Sequence, residues 1–393
     1  MDADILIKGG RIIDAAQQID GTGDLAVIED RILSVGECLA IKADIVIDAR
    51  DCIISPGLID NHLHMFAGAT DAGIDPNVAL LPNGVTTAVE GGSPGVSNFE
   101  LYYRDVVSRS NVRIKCYLSA ASTGMITRKV PENFNPEYFE RDRIKRLFRK
   151  YPDELLGLKI RSSKTIVGDG NARPLTEVLK LAEEIGCKVT VHITDPSIDT
   201  GDIAQMLRPG DIFCHAFQGK GDTIIGKDGK VKRKVREAQG RGVIIDACNG
   251  AFNFSIAVAQ AALADGFFPD VISTDYNTLT MYRHPVISLP YLMSKYLALG
   301  MPLVEVLKAC TTRPADVIGL TGIIGTLVPQ AMADIVILRI VEQESCYYDC
   351  HNGLLKGNQL LVPQMTIKDG NIVFRQVSFN GELHRGSNDS YGF

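Results

Sequence analysis

No stretch of the 393 residues carries 18 or more consecutive apolar side chains, so the sequence offers no segment able to span a bilayer as a helix. An excess of basic charge is missing too. The formal net charge is −6, which argues against a surface that tracks nucleic-acid phosphates. The densest basic stretch, Lys227 to Arg236, is short, is broken by Asp228, and reads as a solvated hairpin or helix face. The N-terminal MDADILIKGGRIID has acidic residues where a secretory leader has basic ones and alternates as a strand does, so the expected location is cytoplasmic. The nine cysteines are odd in number and lack framework spacing, and Cys52, Cys116, Cys187 and Cys214 sit in or beside apolar runs where a reduced thiol acts as a small hydrophobe. Cys346 and Cys350 supply only half of a tetrahedral metal site. Neither a G-x-G-x-x-G turn nor a P-loop follows any strand-like run, which removes the main signature of an open nucleotide-binding sheet.

What is present is ordinary globular composition, 45% hydrophobic and 22% charged, in a chain long enough for a barrel of about 250 residues and a smaller unit. The first 50 or so residues read as short strands separated by turns, and similar stretches return in ADIVILRI and QMTIKDGNIVFRQV near the other end. Between them, short β-branched runs alternate with helical ones: CIISPGLID, VTTAVEG, VRIKCYLSA, LLGLKIRS, CKVTVHIT, DIFCHAF, GVIIDAC and DVISTDY. Eight such runs close a barrel. The expected fold is therefore α/β, a (β/α)8 TIM barrel with a small β-sandwich domain built from both chain ends. The sandwich takes residues 1–55 and 323–385, the barrel 56–322, and 386–393 is a loose tail. Helices are expected at PLTEVLKLAEEIG, FSIAVAQAALADG and PLVEVLKACTTRPADVIGL, with an extra one from Asn133 to Lys150.

In such a barrel, functional groups sit where the strands end. The first run ends in Asp60-Asn61-His62-Leu63-His64, and residues two apart on a strand share a face, so both imidazoles can enter the lumen. Lys159 lies in the fourth run, His192 and His215 end the fifth and sixth, and Asp275 ends the eighth. Each alone has a dull reading, such as a histidine bonded to backbone or an aspartate capping a helix. Together they form a set of buried ionisable groups that calls for a partner, and a metal pair is the economical one.

This pattern resembles the binuclear amidohydrolase superfamily, which includes hydantoinases, dihydroorotases and isoaspartyl dipeptidases. The resemblance extends to PGLIDNHLH, to GVTT at Gly84–Thr87, to TRPA at Thr312–Ala315 and to GTLVPQAMADIVIL. FAGATDAGIDP, KIRSS and STDY look like a dihydroorotase-like branch, some of whose members deacetylate small acyl-carboxylic acids. The resemblance implies two divalent metal ions, zinc by preference, with His62, His64 and Asp275 on one and His192 and His215 on the other. Lys159 would bridge them as a CO2-derived carbamate, because a protonated lysine has no lone pair. It further implies attack on a polarised carbonyl by a metal-bridged hydroxide, with Asp275 as the catalytic proton shuttle. The dull reading of Lys159 is an ordinary lysine paired near Glu90.

For the substrate, Arg161 lies two residues beyond Lys159 and is placed to hold a carboxylate, unless Asp60 or Glu90 takes it as a structural partner. Ser93, Asn249, Asn277 and His284 are further candidates for the pocket. Dihydroorotases usually carry an arginine two residues after the H-x-H, where this chain has Phe66. The expected activity is hydrolysis of a small N-acyl or O-acyl carboxylic acid. Ring opening of a cyclic amide, deamination of a heterocycle and a metal-free scaffold remain as alternatives. A small-molecule partner is expected, with no nucleic acid and no membrane, and homo-oligomer formation is left open.

Overall fold

The computed structural model describes residues 2–379 and 384–385; the expected tail lies outside the described residues. The chain opens with five strands, β1 (Ala3–Asp14), β2 (Ile19–Ile28), β3 (Arg31–Gly36), β4 (Ala43–Asp48) and β5 (Ile53–Pro56). It closes with β13 (Ile335–Tyr348), β14 (Leu354–Lys368) and β15 (Asn371–Arg375). All of them belong to one sheet ordered β15-β14-β13-β5-β1-β2-β3, with β4 also on β1. The two chain ends join at the antiparallel ladder of β5 on β13, in which Ile54 faces Ile337. Ile5, Ile12, Leu25, Val27, Ile47, Ile335, Ile337 and Ile367 are buried together and give this sheet its own core.

Gly57 marks the passage into the second sheet. A Cβ there would lie 2.4 Å from Thr86 Oγ1, so only glycine lets the chain turn this closely against its neighbour. The run CIISPGLID consequently splits, its first half in the terminal sheet and its second half in β6 (Leu58–Leu63). Then follow β7 (Val85–Glu90), β8 (Arg113–Ser119), β9 (Leu155–Arg161), β10 (Lys188–His192), β11 (Ile212–Cys214) and β12 (Ile244–Asp246), parallel and in sequence order. The eighth run is too irregular to be a full strand, yet it closes the ring. Asp246 bridges to Val271 on one side and Leu63 to Tyr276 on the other, supported by Asp275 N–H donating to His62 O at 2.7 Å and His64 N–H to Tyr276 O at 2.9 Å. Ile59, Val89, Tyr117, Ile212, Ile244 and Val271, from six strand segments, form a separate buried cluster that fills the ring. The fold is the expected TIM barrel with a β-rich unit from both ends.

Three local expectations change. The extra helix begins at Arg141, preceded by a 3-10 turn at Pro136–Tyr138, because Pro131 and Pro136 fix extended or turn backbone upstream. The last long helix is two, Leu303–Cys310 and Thr312–Val317, since Pro314 has no N–H with which to continue the ladder. The basic stretch is both things considered: an Ile225–Val231 bridge encloses its turn, and the helix Arg233–Gly240 follows. No helix of the described residues is long and apolar enough to cross a membrane.

Candidate metal centre

The mouth of the barrel holds a cavity of about 330 Å³ lined by His62, His64, Lys159, His192, His215 and Asp275, together with Arg161 and Asn277. The imidazoles crowd one another: ring centroids lie 5.6 Å apart for His62 and His64, 5.5 Å for His62 and His215, and 4.3 Å for His192 and His215. Asp275 Oδ1 is 3.1 Å from His64 Nε2, and Lys159 Nζ is 3.5 Å from His62 Nε2. His62, His64 and Asp275 form one buried group of potential ligand atoms.

Backbone geometry aims these side chains. His215 has φ 66° and Asp275 φ 52°, left-handed conformations that non-glycine residues rarely adopt and that cost on the order of 1–3 kcal/mol each. His215 follows Cys214, the last paired residue of its strand, and Asp275 directly precedes Tyr276, which bridges to Leu63, so at both points the turn swings the side chain inward. Two glycines clear the space. A Cβ on Gly91 would meet His62 Nε2 at 2.4 Å, and one on Gly92, whose φ is +100°, would meet Lys159 Cγ at 2.5 Å.

The donors are held from behind. His64 Nδ1 is 2.8 Å from Ser93 Oγ and 3.4 Å from Glu90 Oε1, while Glu90 also accepts from the N–H groups of Met65 and Ser93. Burial pulls the His64 pKa down, but hydrogen bonds to Asp275 and Glu90 outweigh it and raise the value to about 9. For Asp275, burial works the other way and is overcome by its bond to His64, which holds the carboxyl well below its usual range. Burial keeps His62 and His192 below the ordinary histidine value, so both favour the neutral, lone-pair form that a metal requires. His215 Nδ1 lies 2.8 Å from Cys248 O; a carbonyl only accepts, so Nδ1 carries the proton and Nε2 the lone pair.

The substrate candidates separate. Arg161 lines the cavity, with Nη1 donating to Glu132 Oε2 at 2.9 Å and Nε buried without a partner. Its partner is therefore neither Asp60, which accepts from the Thr274 hydroxyl and N–H, nor Glu90. Asn277 lines the cavity and accepts from Arg128 Nη2 at 3.3 Å. Ser93, Asn249 and His284 are corrections, as none lines the cavity. Ser93 turns its hydroxyl to the far side of His64, Asn249 is buried against Tyr296 and Lys295, and His284 is exposed beside Tyr291 and Tyr348. Phe66 also faces the core, 5.2 Å from the Tyr102 ring.

Sequence reasoning missed Glu132 and Asn253. Asn253 donates to Asp275 Oδ2 at 2.8 Å and accepts from Thr194, so it fixes the carboxylate from the same loop in which Asn249 was singled out. Glu132 sits in the charged insertion after β8, where no periodicity marks a functional position.

The comparisons agree with this architecture. Residues 53–373 match the model of the family described as Amidohydrolase family. A deacetylase from Brucella anthropi is 32% identical over 351 residues, covering 88% of this chain and 87% of its own. A deacetylase from Agrobacterium fabrum is 32% identical over 341 residues, covering 86% and 83%. Among solved structures, an adenine deaminase superposes with a TM-score of 0.87 at 26% identity, covering 95% of this chain and 100% of that one. A dihydroorotase superposes with a TM-score of 0.85 at 29% identity, covering 95% and 98%. A barrel whose strand ends gather histidines and an aspartate, and whose sequence matches over this length, belongs to the amidohydrolase family and is a hydrolase.

Proposed function

We propose that the protein deacylates a small N-acyl or O-acyl carboxylic acid with the help of two divalent cations, zinc by preference. Within this reading residues 56–322 are the catalytic barrel. The observation that carries it is Lys159. It is 4% exposed and faces an imidazole, and among the described residues no carboxylate pairs with its Nζ. Glu90, the partner considered for it, is committed to His64, Met65 and Ser93. A buried ammonium without an anion is costly. A carbamate on Nζ would remove that cost and would supply the anionic oxygens that the four imidazoles lack.

His62, His64 and Asp275 would hold one cation, His192 and His215 the other, and Lys159 both. Once bound, the pair supplies Lewis acidity toward the scissile carbonyl and lowers the pKa of water. The remaining work falls to side chains. Asp275, anchored through Oδ2 by Asn253, takes a proton from water on Oδ1 and passes it to the leaving nitrogen or oxygen. Arg161 lines the cavity with one arm held by Glu132, and its guanidinium suits a substrate carboxylate. The likeness to the two deacetylases supports the acyl-transfer class. Cyclic-amide opening is the second reading, favoured by the likeness to a dihydroorotase.

The test is a hydrolysis screen of zinc- and bicarbonate-loaded protein. It would cover both enantiomers of N-acetyl amino acids and O-acetyl 2-hydroxy acids, beside dihydroorotate, hydantoins and adenine. Acyl carboxylates are expected to turn over, with activity lost on chelation and restored by zinc. Asp275→Asn should abolish kcat, and Arg161→Met should raise KM at least tenfold for carboxylate substrates. Turnover confined to ring opening or deamination would sink the proposal.

A further inference from the structure

Beneath the six donors lies a second cluster. Potential ligand atoms of His62, Cys214, His215 and Cys248 all fall within 4.8 Å of one another, and all four residues are no more than 2% exposed. Cys214 Sγ is 3.4 Å from His62 Nδ1, the nitrogen on the opposite side of the ring from Lys159. We infer that these four residues form a binding site for a soft, thiophilic divalent ion of the cadmium class, overlapping the catalytic set.

The donor set decides the ligand class. Two thiolates and two imidazoles neutralise a divalent ion once the thiols release their two protons, and they are the kind of donors that soft ions select. Access comes through the cavity, which reaches His62 and His215.

Occupation has a consequence for catalysis. His215 has a single lone pair, on Nε2, because Nδ1 is committed to Cys248 O. A soft ion that takes Nε2 withdraws it from the zinc pair, so binding and turnover exclude each other. This competition rests on the proposed metal roles; the site itself does not.

The experiment uses full-length protein carrying Cys38→Ser, Cys346→Ser and Cys350→Ser, which removes the exposed thiols. After chelation it is titrated with cadmium and followed by thiolate-to-cadmium ultraviolet absorption. One equivalent should develop a band with two-thiolate amplitude. Cys214→Ser and Cys248→Ser should each halve the amplitude and weaken binding at least tenfold, while His192→Asn should leave the band intact. A band of full amplitude in either cysteine variant, with a native circular dichroism spectrum, or no band at all, overturns the site. In zinc-loaded protein the same cadmium equivalent should remove turnover in step with the band; a full band beside unchanged turnover overturns the overlap. A protein that shows the band yet turns over nothing in the screen counts against the hydrolytic proposal alone.

Discussion

Lys295 lies in the helix Leu289–Ala298, is fully buried, and has no carboxylate within ion-pair distance among the described residues. Its Nζ reaches Pro285 O at 3.2 Å and Asn249 Oδ1 at 3.4 Å, and sits 4.7 Å from the centre of the Phe254 ring. Burial lowers its pKa from the ordinary 10.5 to about 7, against a small opposing pull from Asp349. The folded protein thus releases this proton near pH 7, whereas the unfolded chain keeps it to 10.5. Between those values the unfolded state binds more protons, so stability rises with pH; below about 7 both states are charged and the contribution is flat. At about 1.4 kcal/mol per pH unit, the wild type should gain on the order of 3 kcal/mol relative to Lys295→Met from about pH 7 to about pH 9.5. Subtracting the two proteins' urea-unfolding free energies at each pH isolates the lysine from other groups that titrate there. Parallel curves across that window would refute the reasoning, and so would a 13Cε-lysine NMR titration in which every resonance moves only near its ordinary value.

Two further substitutions test the frame around the site. Gly92→Ala places a Cβ against Lys159 at a φ that disfavours it, and should lower zinc affinity on the order of 10–100-fold, read as metal content at fixed free zinc together with kcat/KM. Unchanged metal content would show that Lys159 does not hold metal. Arg113 ties β8 to the terminal sheet through Asp334 Oδ2 at 2.6 Å and Asp369 Oδ1 at 2.8 Å. Arg113→Met should destabilise by about 2 kcal/mol in urea, less than an isolated buried pair would lose, because Lys368 still neutralises Asp334 and Asp369 is 40% exposed.

The barrel was legible because its strands are buried on both faces and read as β-branched runs whose count closes the ring. The eighth run shows the limit: DVISTDY pairs on both sides through isolated bridges, a length of contact that composition does not announce. At the site, residue type and position at a strand end pointed to the residues now seen around the cavity, but the mechanism of placement differs from simple alternation. β6 shifts register against β7 between Asp60 and Leu63, and His215 and Asp275 reach inward through left-handed backbone. Such conformations are imposed by the closed ring, not by local propensity, and so leave no local signal. The substrate wall was less legible for a related reason. It is made by loops, where one residue's shift decides whether a side chain meets the cavity or the core. Asn249 and Asn253 share a loop, yet one packs on Tyr296 and the other holds Asp275. Glu132 illustrates the opposite case, a charge that no sequence signal marks and that the fold buries to 7% exposure against Arg161. A buried carboxylate that occupies half of an arginine fork narrows what the other half can bind. In the proposed function, Glu132 at 2.9 Å from Arg161 Nη1 disfavours a second negative group beside a substrate carboxylate held there.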